Sequence, residues 1–342
     1  MSLREDLFDA LACGEPLGAV PIWEIEFQAW DAMSGRHVVL GEEFERLSAA
    51  EQDRALHENA EILLTVVRDL HFAALTVPGP YWHQAPGQLA YYVLPGEARL
   101  RQAKVLREMA PPELVLVGTS GGVLGMPDSA SYLEFSYQLY DAPDEVEKMA
   151  VGTLQGGLEA AARLREAGCE IAMTASDLAD NHGPFFPPAQ FARFLEPYLR
   201  AWAEGVHALG MPAIMHSDGD LRPVLEALAD SGLDALQAVD PTAGMEMAAA
   251  KAQVEGRLCL CGNVDCGLLL TGTPEAVYAA TVALLEECKG GGGLVLGASN
   301  AVQAEVPVEN YRAMIEAWKE RGRYGCRGGL PPRGAEGTLD DR

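Results

Sequence analysis

Residues Gly210–Asp240 read GMPAIMHSDGDLRPVLEALADSGLDALQAVD. Two short apolar runs, Ala213–His216 and Ala235–Val239, flank a segment predicted to be helical near Leu221–Asp230. Strand, polar loop, amphipathic helix and second strand make a βαβ unit, whose crossover places the two strands in parallel.

Working outward, the same unit recurs about every 20 to 40 residues. Upstream strands are predicted at Ala19–Ile22, Ala73–Val77, Leu114–Gly118 and Glu170–Ala175, with Gln88–Leu94 as a further strand or hairpin arm. Downstream strands follow at Leu258–Cys261 and Leu294–Gly297. Helices are predicted over Ala49–Asp69, near Gly96–Met109 and Ser129–Tyr140, over Asp144–Ala167, and from Pro188 to Leu209. Three more follow: near Gly244–Val254, over Pro274–Cys288, and over Val308–Arg321. Ser48 with Glu51 forms a capping-box pattern, and Thr273 precedes a proline suited to the first helical position. About eight strand–helix units run on without a linker, so the expected fold is α/β, a single (β/α)8 TIM barrel over residues 1–323. Residues 324–342, rich in Gly and Pro, are expected to form a flexible tail. A doubly wound sheet competes, but no G-x-G-x-x-G turn follows the first strand.

The chain carries 25 Lys and Arg against 50 Asp and Glu, a formal charge of −25. Such a surface repels nucleic acid and anionic membranes. No stretch approaches the roughly 20 apolar residues of a spanning helix, and the opening MSLREDLFDALACGEPLG mixes charges into its apolar run. The seven cysteines are scattered without a C-x-x-C pair, which argues against a disulfide framework and for a reducing cytoplasm.

In a parallel barrel the loops after the strands share one mouth, and the site is sought there. After the first strand stand Trp23, Glu24, Glu26 and Phe27; after the second, Tyr81, Trp82 and His83. Later strand ends bring Asp177, Asp180 and His182, then His216 and Asp218, then Cys261 and Asn263, and finally Ser299 and Asn300. His216 closes an apolar run and is a candidate acid/base or metal ligand. Asp218 could orient it, bind substrate, or cap the next helix, while Gly219 allows a tight turn or a close approach. Glu24 and Glu26 are further catalytic candidates. Cys261 could add a thiolate to a metal site with His216, although buried inert cysteine is the commoner case. Trp23, Phe27, Tyr81 and Trp82 could wall a flat apolar substrate, with Asp177, His182, Asn263 and Ser299 as polar contacts; core packing and Asx turns explain the same residues equally well.

With SDLADNHGPFFPPAQFARFLEPYL, GMPAIMHSDGDLRPVLEALADSGLDALQAVDP, GRLCLCGNVD and LGASNAVQAEVPVENYRAMIEA in this order, the chain resembles the uroporphyrinogen decarboxylase superfamily. That superfamily includes the decarboxylase and cobalamin-dependent methyltransferases, and the resemblance implies a (β/α)8 barrel. The decarboxylase branch holds porphyrin carboxylates with arginines after its first strand; WEIEFQAW has glutamates there and no arginine. The zinc-dependent methyltransferase branch has a His-x-Cys pair and a later cysteine; here His216 is kept, Asp218 replaces the paired cysteine, and Ala298 or Ser299 stands at the late position. The resemblance thus implies a methyltransferase that takes a methyl group from a small methoxylated, aromatic compound and passes it to the corrinoid (cobalamin) of a partner protein, with zinc as a possible second cofactor. A decarboxylase of a non-porphyrin acid, or a non-catalytic barrel binding a corrinoid or tetrapyrrole, are the alternatives.

Overall fold

The computed structural model describes residues 2–78, 94 and 96–325. Seven parallel strands form one sheet: β1 (Ala74–Thr76), β2 (Val115–Thr119), β3 (Ile171–Ala175), β4 (Ala213–His216), β5 (Ala235–Gln237), β6 (Cys259–Val264) and β7 (Leu294–Ala298). Each strand pairs with the next in chain order, so the sheet grows in one direction and curls. Beyond its edges, Ile22 makes parallel bridges to Phe72, just ahead of β1, and to Leu296 of β7. The Leu296 N–H donates to the Pro21 carbonyl at 2.8 Å, and the Ala73 N–H to that of Ile22 at 2.8 Å. The predicted strand Ala19–Ile22 is therefore reduced to isolated bridges; Pro21 has no N–H to donate.

The curl follows from how the strands sort their side chains. Val115 and Val117, Ile171 and Met173, Ile214, Ala235, Cys259 and Cys261, and Val295 point to one inner cluster. Their neighbours Leu116, Ala172, Met215, Leu236, Leu260, Leu294 and Leu296 join an outer cluster with the helices. This is the period of two of a strand, read on both faces. Leu7, Ala10 and Leu11 of the first helix (Leu3–Leu11) close the inner cluster. That helix is tied down by Arg4, which pairs with Glu170 just ahead of β3 at 2.7 Å.

Most helix bounds follow local signals. The helix Ala49–Asp69 begins at the Ser48–Glu51 capping box, and Thr273 accepts the Ala276 N–H ahead of Pro274–Cys288. The expected Pro188–Leu209 helix is two helices, Pro188–Phe194 and Glu196–Ala208. They break at Leu195, where ψ is −59° at φ −120°, because Pro197 supplies no N–H and is tolerated only in a first turn. At the C-terminal end, Tyr324 is part of the folded body: its N–H donates to the Gly18 carbonyl at 3.1 Å and its hydroxyl to that of Lys289 at 3.0 Å. Residues 326–342 of the expected tail lie outside the described residues, as does all of the Gln88–Leu94 segment except Leu94. No helix among the described residues is long and apolar enough to cross a membrane.

Candidate active site

β4 ends on His216 and β5 on Gln237, and the two pair in register. His216 is 8% exposed, so its ring nitrogens need partners. Nδ1 meets Oε1 of Gln237. The far side of that amide fixes its direction: Gln237 Nε2 lies 3.2 Å from the carbonyl oxygen of Ala298 and 3.4 Å from that of Ser299. Carbonyls only accept, so the amide NH2 faces them and the amide oxygen faces the imidazole. Nδ1 therefore carries the proton and Nε2 the lone pair.

Nε2 looks towards two carboxylates, Asp177 Oδ1 at 3.7 Å and Asp218 Oδ1 at 3.8 Å. Asp177 Oδ1 also accepts the Asp218 N–H at 3.1 Å. Oδ2 of Asp218 accepts from Nδ2 of Asn300, whose own oxygen takes the Ala301 N–H at 2.6 Å and so sets that amide's orientation. Oδ1 of Asp218 is buried and has no hydrogen-bond partner. Burial pushes the Asp218 carboxyl up to about 6; His216 opposes the rise, and Asp177 and Asp240 add to it. Gly219 turns the chain at φ +90°, where a Cβ would sit 2.4 Å from the Ala179 carbonyl oxygen. Asp218 caps no helix; Asp220 instead takes the Arg222 N–H at 3.2 Å and grips its guanidinium.

Asp177, His216 and Asp218 each offer one ligand atom, all within 4.8 Å of one another. Among the described residues no other group of three His, Cys, Asp or Glu meets that condition. An imidazole lone pair with two carboxylate oxygens, one of them buried and unpartnered, fits a divalent cation of the zinc type with open positions for substrate. Cys261, expected as a ligand, lies elsewhere: it is buried in the inner apolar cluster, hydrogen-bonded to Cys259. Its strand parity is that of Gln237 and His216, yet it is not among the ligand atoms that lie within 4.8 Å of one another.

The other candidates divide. Glu24 is buried, with Oε2 accepting the Ala298 N–H at 2.9 Å and Oε1 2.7 Å from the Tyr311 hydroxyl. Burial pushes it up to about 8. Glu26 is half-buried, and burial pushes it up to about 7 against the pull of Gln28. Trp23 points inward and donates through Nε1 to Thr76 at 2.9 Å. Phe27 is core packing, edge-on to Trp30 at 4.7 Å and to Tyr311 at 5.0 Å, so it walls no substrate. Asn263 donates to the Val239 carbonyl at 2.8 Å, and Ser299 Oγ accepts the Cys266 N–H at 3.2 Å; both brace loops. His182 is exposed, its N–H held by Asp180 in an Asx turn, and it is not one of the trio. Tyr81, Trp82 and His83 lie outside the described residues. Sequence reasoning missed Gln237 and Tyr311. The one available signal for Gln237 was an amide ending an otherwise apolar strand.

The arrangement defines a parallel α/β protein with a polar site at its strand ends. Residues 99–321 match the profile of the Uroporphyrinogen decarboxylase (URO-D) family, and the chain belongs to that family. Uroporphyrinogen decarboxylase of Coxiella burnetii is 30% identical over 156 residues, 44% of this chain and 41% of that protein. The enzyme of the same name from Legionella pneumophila is 27% identical over 224 residues, 64% of this chain and 62% of that protein. The matched segments thus span less than two thirds of these relatives. A solved structure, a methyltransferase from Methanosarcina mazei, superposes with a TM-score of 0.69 at 20% identity, covering 94% of this chain and 99% of that one. The similarity extends over nearly the whole fold.

Proposed function

We propose that the protein is a corrinoid-linked methyltransferase that moves a methyl group from a small methoxylated aromatic compound to the corrinoid of a partner protein. One observation carries the reading. His216 offers an Nε2 lone pair between Asp177 and Asp218, where the first-strand segment 23–30 has no arginine to hold a polycarboxylate. An acidic mouth repels a substrate bearing many carboxylates. The likeness in fold to the Methanosarcina mazei methyltransferase adds support. We also read the sheet as a closed (β/α)8 barrel with segment 19–22 as its eighth stave, on the strength of the two Ile22 bridges; that closure gathers the strand ends around one mouth.

Cleaving an aryl methyl ether requires the leaving oxygen to be stabilised as the methyl group departs. Asp177, His216 and Asp218 would hold a zinc ion, and zinc bound there supplies Lewis acidity towards that oxygen. The chain's own contribution is orientation: Gln237 keeps the lone pair on Nε2, and Asn300 keeps Asp218 turned towards it. Glu26, pushed up to about 7, is able to give a proton near neutral pH. The test supplies the purified protein with a corrinoid protein in its cob(I)alamin state and a panel of methoxyarenes. The corrinoid absorbance is expected to change with formation of the free phenol; no change with any methoxyarene overturns the reading. Decarboxylation of a non-porphyrin acid is the second reading, favoured by the names of the curated relatives. It predicts carbon dioxide release without a corrinoid protein.

A further inference from the structure

The turn after β7, Ala298–Asn300, holds both halves of the site. The carbonyls of Ala298 and Ser299 receive the Gln237 amide that orients His216, and Asn300 donates to Asp218. Cys266 and Val264 hold its Ser299 and Asn300 end, and Glu24 holds its Ala298 end. Glu24 Oε2 accepts the Ala298 N–H at 2.9 Å, and Glu24 is in turn anchored by Tyr311, 2.7 Å from Oε1. The strand approaches so closely here that a Cβ on Gly297 would sit 2.3 Å from the Trp23 carbonyl oxygen. One hydrogen-bond relay, through Ala298 and Gln237 to His216, therefore starts from a buried carboxyl that touches neither catalytic candidate, while Asn300 is held separately through its N–H to Cys266 Sγ.

We infer that Glu24 is a positioning residue: through Ala298 and Gln237 it selects the Nδ1–H tautomer of His216, with Tyr311 as its anchor. This deepens the function proposed above, and any effect on turnover rests on that reading; the effect on the tautomer does not. The alternative for Glu24 is a proton donor to substrate, and chemistry separates the two. Burial keeps the carboxyl protonated at neutral pH, so glutamine reproduces it. Its oxygen accepts the Ala298 N–H and its NH2 donates to the Tyr311 hydroxyl. A positioning role survives that exchange, whereas a proton-donating role does not.

The experiment is nitrogen NMR of histidine-labelled full-length protein, with methyl transfer to a corrinoid protein as a second readout. The wild type is expected to show His216 with a protonated Nδ1, and Glu24→Gln to keep both tautomer and turnover. Glu24→Leu removes both hydrogen-bonding oxygens while still filling the site. It is expected to lower the Nδ1–H to Nε2–H ratio about tenfold, the worth of one hydrogen bond. If Glu24→Leu does not fold, Tyr311→Phe replaces it, with a smaller shift in the same direction. A protonated Nε2 in the wild type, or an unchanged tautomer in the variant that removes the bond, overturns the inference. So does a Glu24→Gln protein with an intact tautomer and no turnover. Failure of methyl transfer in every form, with the tautomers shifting as stated, sinks the proposed function and leaves the positioning role standing.

Discussion

Gln237 lies beside His216 on the neighbouring parallel strand, and its amide decides which imidazole nitrogen is free. The decision is made by two carbonyls on a third strand end, which accept the amide NH2 and leave its oxygen for Nδ1. Outer hydrogen bonds of this kind set the tautomer and basicity of a histidine that binds a metal, the role proposed above for His216.

Gln237→Leu keeps the strand apolar but releases Nδ1. Zinc affinity is expected to fall about 10- to 100-fold, the usual cost of losing such a partner. Competition with a chromophoric chelator measures it, and an affinity equal to the wild type would show that Gln237 does not tune the site.

The ligand set itself is open to elemental analysis of purified protein. Stoichiometric zinc is expected in the wild type and its loss in His216→Ala. Asp177→Asn and Asp218→Asn are each expected to weaken binding, because each leaves one fewer anionic oxygen within 4.8 Å of the other two donors. Cys261→Ser is expected to leave zinc content unchanged, since the thiol belongs to the inner cluster. Zinc that followed Cys261 rather than Asp218 would contradict the geometry.

Phe27 and His182, both candidates for substrate contact, separate by stability. Phe27 is 5% exposed among aromatic rings, so Phe27→Ala is expected to cost about 3–5 kcal/mol, seen as a fall in denaturant midpoint. His182 is exposed, and its turn is held through its backbone N–H. His182→Ala is expected to change stability by less than about 0.5 kcal/mol and to leave turnover intact. A large loss of turnover in His182→Ala would return that residue to the site.

These cases show what was legible in the sequence. Helix and strand bounds set by neighbours in the chain match the structure: Ala49–Asp69 at its capping box, Pro274–Cys288 at Thr273, and Ala213–His216 at the polar residues that follow. The place of His216 at a strand end, with Asp218 in the turn that follows, was legible because His216 closes an apolar run. Gln237 was not, because its role comes from register with a residue 21 positions away on another strand. Glu24 had the right surroundings in sequence for a catalytic acid. Its partner Tyr311 lies 287 residues downstream, on the last helix, where no reading of neighbours in the chain finds it. Phe27 was ambiguous for the same reason: an aromatic after a strand packs or binds according to what the last helix places above it.

Stability should fall with rising pH near neutrality, and the sign follows from two carboxyls. Folding raises Glu24 from 4.5 to about 8 and Glu26 from 4.5 to about 7, both mainly through burial. Between 4.5 and those values the folded state holds protons that the unfolded state has released. Their stabilisation is complete below 4.5 and is lost as pH climbs through the folded-state values. Each group adds a slope of about 1.4 kcal/mol per pH unit within its window, an upper figure where water reaches the charge. Urea unfolding across this range is expected to show the decline in the wild type and a shallower one in Glu24→Gln, which cannot ionise. Equal slopes in the two proteins would mean that Glu24 ionises as readily folded as unfolded, and the buried carboxyl behind Ala298 would have to be charged.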